Sequence, residues 1–174
     1  ARVRVRQALK NEPTTGVDAV SRREFWDLLD RLKASGLTTI VSTTYMDEAT
    51  RCDRVALMQR GHLLAVDTPH AITASFRQPL FALTAANRYA ALRALREYGQ
   101  TSSVYPFGET LHYTDRRAGI APVSVAADVR QFVAARGVGD VHVTPVPATI
   151  EDVFIARMGA PDGEEPLAVS GSDR

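Results

Sequence analysis

The turn E-P-T-T-G-V-D and the helix-spaced stripe behind it constrain the fold more than any other feature of this sequence. Pro13 and Gly16 break whatever precedes them. Phe25, Leu28, Leu29 and Leu32 then fall at i, i+3, i+4 and i+7, which predicts one apolar stripe on a helix over 19–35. Asp18 suits the N-cap, and Gly36 suits the C-terminal stop. The next run, L-T-T-I-V-S at 37–42, is β-branched and reads as a buried strand. Before the turn, Arg2, Arg4 and Arg6 alternate with Val3 and Val5, the period-two pattern of a strand with a wet basic face. Strand, helix and strand in this order belong to the α/β class.

Further along, Thr44 to Asp47 spell a capping box for a short helix reaching Arg51. Residues 54–59 and 62–66 flank Arg60-Gly61 as a hairpin, and Pro69 opens a helix to about Phe76. The composition changes near Arg77–Pro79. Beyond it the pattern predicts strand, helix, strand, strand, helix, strand at 80–84, 87–98, 101–105, 109–113, 123–136 and 140–144. The second of these helices places Val125, Val129, Phe132 and Val133 on one face. This βαββαβ order predicts a small ferredoxin-like α+β sandwich. A last helix from Thr149, with Asp152 closing a capping box, carries Ile150, Val153, Phe154 and Met158 inward. The expected domains are therefore 1–76 and 77–158, followed by a disordered tail at 159–174.

The chain has 174 residues, 45% hydrophobic and 24% charged, which excludes a wholly disordered chain. One cysteine, Cys52, excludes a disulfide scaffold. A net charge of +1 supplies no field to recruit nucleic acid or anionic lipid. No apolar run reaches the ~18 residues of a membrane helix. These features point to a reducing, cytoplasmic-type compartment. The first residue is alanine, so either a start has been removed or the sequence is part of a longer chain.

Three strings carry specific information. N-E-P-T-T-G-V-D-A-V (11–20), S-T-T-Y-M-D-E-A (42–49) and P-A-T-I-E-D-V-F-I-A-R-M-G (147–159) resemble the later part of the ATP-binding subunit of ABC transporters, closest to the ABC-2 type that serves drug and polysaccharide exporters. The resemblance implies the carboxyl-terminal part of a P-loop NTPase sheet-and-helix domain, followed by the small accessory unit. It implies that Glu12 is the catalytic base that polarises the attacking water. Asn11 takes the place of the aspartate that supports Mg²⁺, where a neutral amide is a weaker partner. Asp18 matches the aspartate of the loop that crosses to the second nucleotide-binding domain. Thr44 stands where the family usually has a histidine touching the γ-phosphate, although its hydroxyl is also placed to cap the helix behind it. ATP and Mg²⁺ are the implied cofactors. The implied partners are a transmembrane permease and a second nucleotide-binding domain, with no nucleic acid. The implied location is the inner face of the cell membrane, held there through the permease.

Two departures accompany the resemblance. No G-x-x-x-x-G-K-[ST] occurs in the 174 residues, and no LSGGQ-type signature. Residues 1–10 carry Arg2, Arg4, Arg6 and Lys10 where the family strand is nearly all apolar. The chain alone is therefore expected to be inactive. The alternative reading is a non-catalytic interaction or regulatory module acting through the sandwich at 79–145. Other candidates are bland. His62, His70, His112 and His142 have no metal-ligand spacing, among themselves or with Cys52. Arg51 and Arg54 flank Cys52 closely enough to lower its pKa, yet a lone structural cysteine explains it as well. Trp26 is expected to pack at the edge of the apolar stripe.

Overall fold

The computed structural model describes residues 7–158. The basic alternation at 1–6 and the expected tail at 159–174 lie outside the described residues. The chain divides into two compact units, one of residues up to Thr73 together with those from Ile150, the other Ala74–Thr149.

In the first unit, β1 (Gln7–Asn11) and β2 (Thr38–Ser42) pair in parallel, with Asn11 opposite Ser42. A parallel pair needs a crossover, and α1 (Ala19–Ala34) supplies it. The Asp18 carboxylate caps α1 through the amides of Val20 and Ser21. Beyond the Ser35 C-cap, Gly36 takes φ 85°, the left-handed conformation that ends helices and that glycine adopts without strain. After the short α2 (Met46–Ala49) come β3 (Val55–Gln59) and β4 (His62–Asp67), an antiparallel hairpin. Its two turn residues, Arg60 and Gly61, both have positive φ, the pairing a right-twisted two-residue hairpin requires. Thr68 caps α3 (Pro69–Ala74) by accepting from the Ala71 amide, and this helix stops two residues short of the expected Phe76.

Among the described residues, the buried apolar side chains of this unit are Trp26, Leu29, Ala49, Leu57, Ala65, Ile72, Ile150 and Val153. Three expectations change here. Trp26 is 5% exposed and Leu28 45%, so the buried stripe of α1 runs through Trp26 and Leu29. The strand at 37–42 is not buried: Ile40 is 53% exposed, because β2 has β1 as its one strand partner among the described residues. The last helix, α6 (Ile150–Met158), groups with the first unit and not with the second, lying against α2 and donating from Arg157 to the Leu64 carbonyl at 3.0 Å. Its Met158 is exposed, whereas Ile150 and Val153 are buried.

The second unit runs β5 (Leu80–Thr84), α4 (Arg88–Arg96), β6 (Thr101–Phe107), β7 (Thr110–Asp115), α5 (Pro122–Ala134) and β8 (His142–Val146). Its sheet has the order β6-β7-β5-β8, every neighbouring pair antiparallel. Phe81 and Leu83 of β5 and Leu111 and Tyr113 of β7 meet Ala91, Leu92 and Leu95 of α4 and Val125, Val129 and Val133 of α5 in one core. Asn87 caps α4 and Pro122 opens α5. The unit is mixed α/β in content with its own apolar centre. Among the described residues, no helix is long and apolar enough to cross a membrane.

Candidate functional site

The loops leaving the carboxyl ends of β1 and β2 lie side by side. This is where parallel sheets present chemistry. Asn11 closes β1 opposite Ser42, whose hydroxyl donates to Asn11 Oδ1. The Glu12 amide donates to the Ser42 carbonyl at 2.8 Å, carrying the pairing one residue past the strand. Glu12 itself sits at φ 43°, a left-handed conformation that is uncommon for a side chain of this kind. The turn behind it imposes that conformation. The Thr15 amide donates to the Glu12 carbonyl, the Val17 amide to the Thr14 carbonyl, and Gly16 takes φ 74°. The Glu12 side chain is exposed, with one carboxylate oxygen accepting from the Thr15 hydroxyl at 3.2 Å.

Asp18 ends this turn. Its Oδ1 accepts from the amides of Val20 at 2.9 Å and Ser21 at 3.1 Å. Hydrogen bonding from Ser21, side chain and backbone, holds its carboxyl below the usual carboxylate range. The capping role of Asp18 is therefore built into the fold.

The second loop corrects an expectation. Thr44 is exposed and caps nothing: α2 starts with Tyr45 at its N-cap and no side-chain cap bond. The capping box at Thr44–Asp47 does not form. Thr43, not Thr44, makes the local side-chain bond, in a turn just before the helix. Its hydroxyl accepts from the Tyr45 amide at 3.0 Å and donates to Glu48 at 2.6 Å. Two adjacent threonines compete for one local role, and the one within reach of a buried carboxylate takes it.

That carboxylate went unrecognised in the sequence. Glu48 is 3% exposed. Its Oε2 receives the Thr43 hydroxyl and, at 3.0 Å, the hydroxyl of the fully buried Thr14. Its Oε1 faces the Arg22 Nε at 3.8 Å, and the Arg22 guanidinium lies 4.3 Å from the centre of the Tyr45 ring. A four-residue helix shows no periodicity from which the burial of Glu48 is legible. The one signal in the sequence is an acid next to Ala49, two residues after Met46.

The donor set of the site does not make a metal centre. Asn11 Oδ1 is engaged by Ser42, Glu12 is exposed, and the nearby Glu48 carboxylate is buried and taken up by the Thr14 and Thr43 hydroxyls. The described residues hold no group of three or more His, Cys, Asp or Glu suited to a metal ion. The remaining candidates are structural. Burial pushes the Cys52 thiol up, and Arg51 is occupied across α1 by Asp27 and Asp30 at 2.8 and 2.6 Å. Glu151 is exposed and Asp152 fully buried, so the two do not form a carboxylate pair.

No family model matches the sequence. Among curated proteins, it is 32% identical over 163 residues to the probable multidrug ABC transporter ATP-binding protein YbhF of Escherichia coli (strain K12), covering 91% of this chain and 27% of that protein. It is 34% identical over 153 residues to the Nod factor export ATP-binding protein I of Rhizobium sp. (strain N33), covering 86% and 46%. It is 28% identical over 158 residues to the daunorubicin/doxorubicin resistance ATP-binding protein DrrA of Streptomyces peucetius, covering 87% and 46%. The chain thus spans less than half the length of these relatives, while they match nearly all of it.

Proposed function

We infer that this chain, a homologue of the ATP-binding proteins of ABC transporters of the exporter type, supplies the water-positioning half of such an ATPase. One observation carries the reading most strongly. The carboxyl ends of a parallel strand pair hold an exposed glutamate, Glu12, directly beside the loop of Thr43 and Thr44. A carboxylate at such a mouth can orient a water molecule, and its strained backbone is rigidly prescribed by Ser42 and the turn behind it. In this reading Glu12 is the catalytic base, Thr44 faces the γ-phosphate side, Asn11 stands at the metal-supporting position and Asp18 lies in the loop toward a second nucleotide-binding domain. The phosphate cradle and the magnesium-holding groups come from sequence not present in these 174 residues, so the chain alone is inactive.

We further assign the second unit to the ferredoxin-like sandwich, as a carboxyl-terminal accessory domain. Its element order and its antiparallel order β6-β7-β5-β8 support the assignment, as does a core shared by both helices. ATP hydrolysis drives export through a permease in this reading, with the chain peripheral at the inner membrane face.

The test is complementation. The chain is mixed with the amino-terminal half of one relative, ending where the matched segment begins, and phosphate release is followed with ATP and Mg²⁺. Release should appear only in the mixture. Glu12→Gln should lower it by about 10²–10⁴-fold, the scale of a general base. Undiminished release in Glu12→Gln contradicts the assignment.

A further inference from the structure

We propose that Glu48 is a positioning residue that locks the loop after β1 and the loop after β2 into one element and thereby sets the geometry of Glu12; the catalytic meaning of that geometry rests on the function proposed above. The contacts form a closed ring. Glu48 Oε2 receives the Thr43 hydroxyl, which accepts from the Tyr45 amide. The Tyr45 ring carries the Arg22 guanidinium, and Arg22 Nε returns to Glu48 Oε1 at 3.8 Å. Because the Thr43 hydroxyl accepts from an amide, its proton is directed at the carboxylate. A second hydroxyl, that of Thr14, enters the same oxygen from the other loop. One carboxylate thus ties together four segments: the turn after β1, α1, the loop after β2, and α2.

Glu12 lies between the two anchors. Thr14 is two residues beyond it in a turn closed by the Thr15 and Val17 amides, and Thr43 follows Ser42, which accepts the Glu12 amide. Stability alone does not explain the arrangement. A buried carboxylate pays a desolvation penalty that an apolar residue of similar size avoids, and the best-attested use of such groups is to specify one arrangement. The Arg22 Nε and Glu48 Oε1 make no hydrogen bond, so the pair is held near contact without the geometry that maximises its strength.

Amide hydrogen exchange on the full chain, without nucleotide, tests this independently of any ATPase activity. Reporters are the bonded amides of Glu12, Thr15, Val17 and Tyr45. In Glu48→Leu their exchange should accelerate about tenfold, the factor that losing one or two hydrogen bonds represents. The interior of α1 and the β3–β4 hairpin should stay within about twofold of the parent. Glu48→Gln keeps an oxygen acceptor and should restore most of the protection. Thr14→Val should release Thr15 and Val17 while leaving Tyr45 protected. Unchanged exchange at all four reporters in Glu48→Leu, or at Thr15 and Val17 in Thr14→Val, overturns the proposal. So does a loss spread evenly over the whole unit with no recovery in Glu48→Gln. If Glu48→Leu fails to fold, the Glu48→Gln and Thr14→Val profiles decide: selective release in Thr14→Val supports the proposal, and its absence overturns it.

Discussion

Arg117 grips Asp115 through two nitrogens, each 2.9 Å from a carboxylate oxygen, and reaches Asp128 with a third at 2.8 Å. The Tyr113 hydroxyl adds a further bond to Asp115 at 2.9 Å, on a residue only 6% exposed. Burial alone would raise the Asp115 carboxyl, but the hydrogen bonds from Arg117 outweigh it and hold the group below its ordinary range. A carboxylate depressed in the folded state adds stability that is fully present above its unfolded value, ~3.9, and is lost as pH falls through the folded value. The second unit should therefore lose melting temperature on acidification below about pH 4. Asp115→Asn should flatten that acid limb; an acid limb unchanged in this variant contradicts the assignment. Arg117→Met leaves a buried carboxylate without its guanidinium and should cost about 3 kcal/mol in urea unfolding at neutral pH. Nothing in the sequence marks this cluster, because Arg116-Arg117 is a short basic pair with no spacing that singles out Asp128. Arg116 instead donates to the Thr101 carbonyl at 2.7 Å, and Arg117 is three-quarters buried.

At the level of elements, punctuation was legible and packing was not. Gly36, Gly61 and Pro69 mark element ends because a positive φ or a missing amide leaves few alternatives. The Asp18 cap follows from one side chain and two amides nearby in sequence. The choice between Thr43 and Thr44 depends on Glu48, and the choice between Trp26 and Leu28 depends on what α1 packs against. Neither is a local property. The same holds for α6, whose sequence neighbours lie in the second unit while its packing lies in the first. β2 shows the difference most plainly, since its β-branched run promised burial and its Ile40 is exposed. Ile40→Thr should change stability by no more than about 0.5 kcal/mol, as at other exposed positions. Leu83→Ala, at a side chain with no exposure, should cost about 2–5 kcal/mol. Equal costs at the two positions in denaturant unfolding would show that β2 is covered in solution.

For the molecule as a whole, the division into two units makes a direct prediction about folding. The segment 74–149 holds the complete β6-β7-β5-β8 sheet, both helices and a continuous core. Expressed alone it should melt in one cooperative transition. Deleting Ile150–Met158 from the full chain should destabilise the first unit and leave that transition in place. A non-cooperative melt of 74–149 contradicts the division. In the proposed function the labour is divided differently: a water-positioning glutamate within the chain and a phosphate cradle outside it. The measurement that addresses this most directly is phosphate release by the purified full chain alone, with ATP and Mg²⁺, beside Glu12→Gln. The account predicts no release above the Glu12→Gln background. Turnover that survives purification and disappears in Glu12→Gln would contradict it, because the chain would then hold a phosphate-binding site of its own.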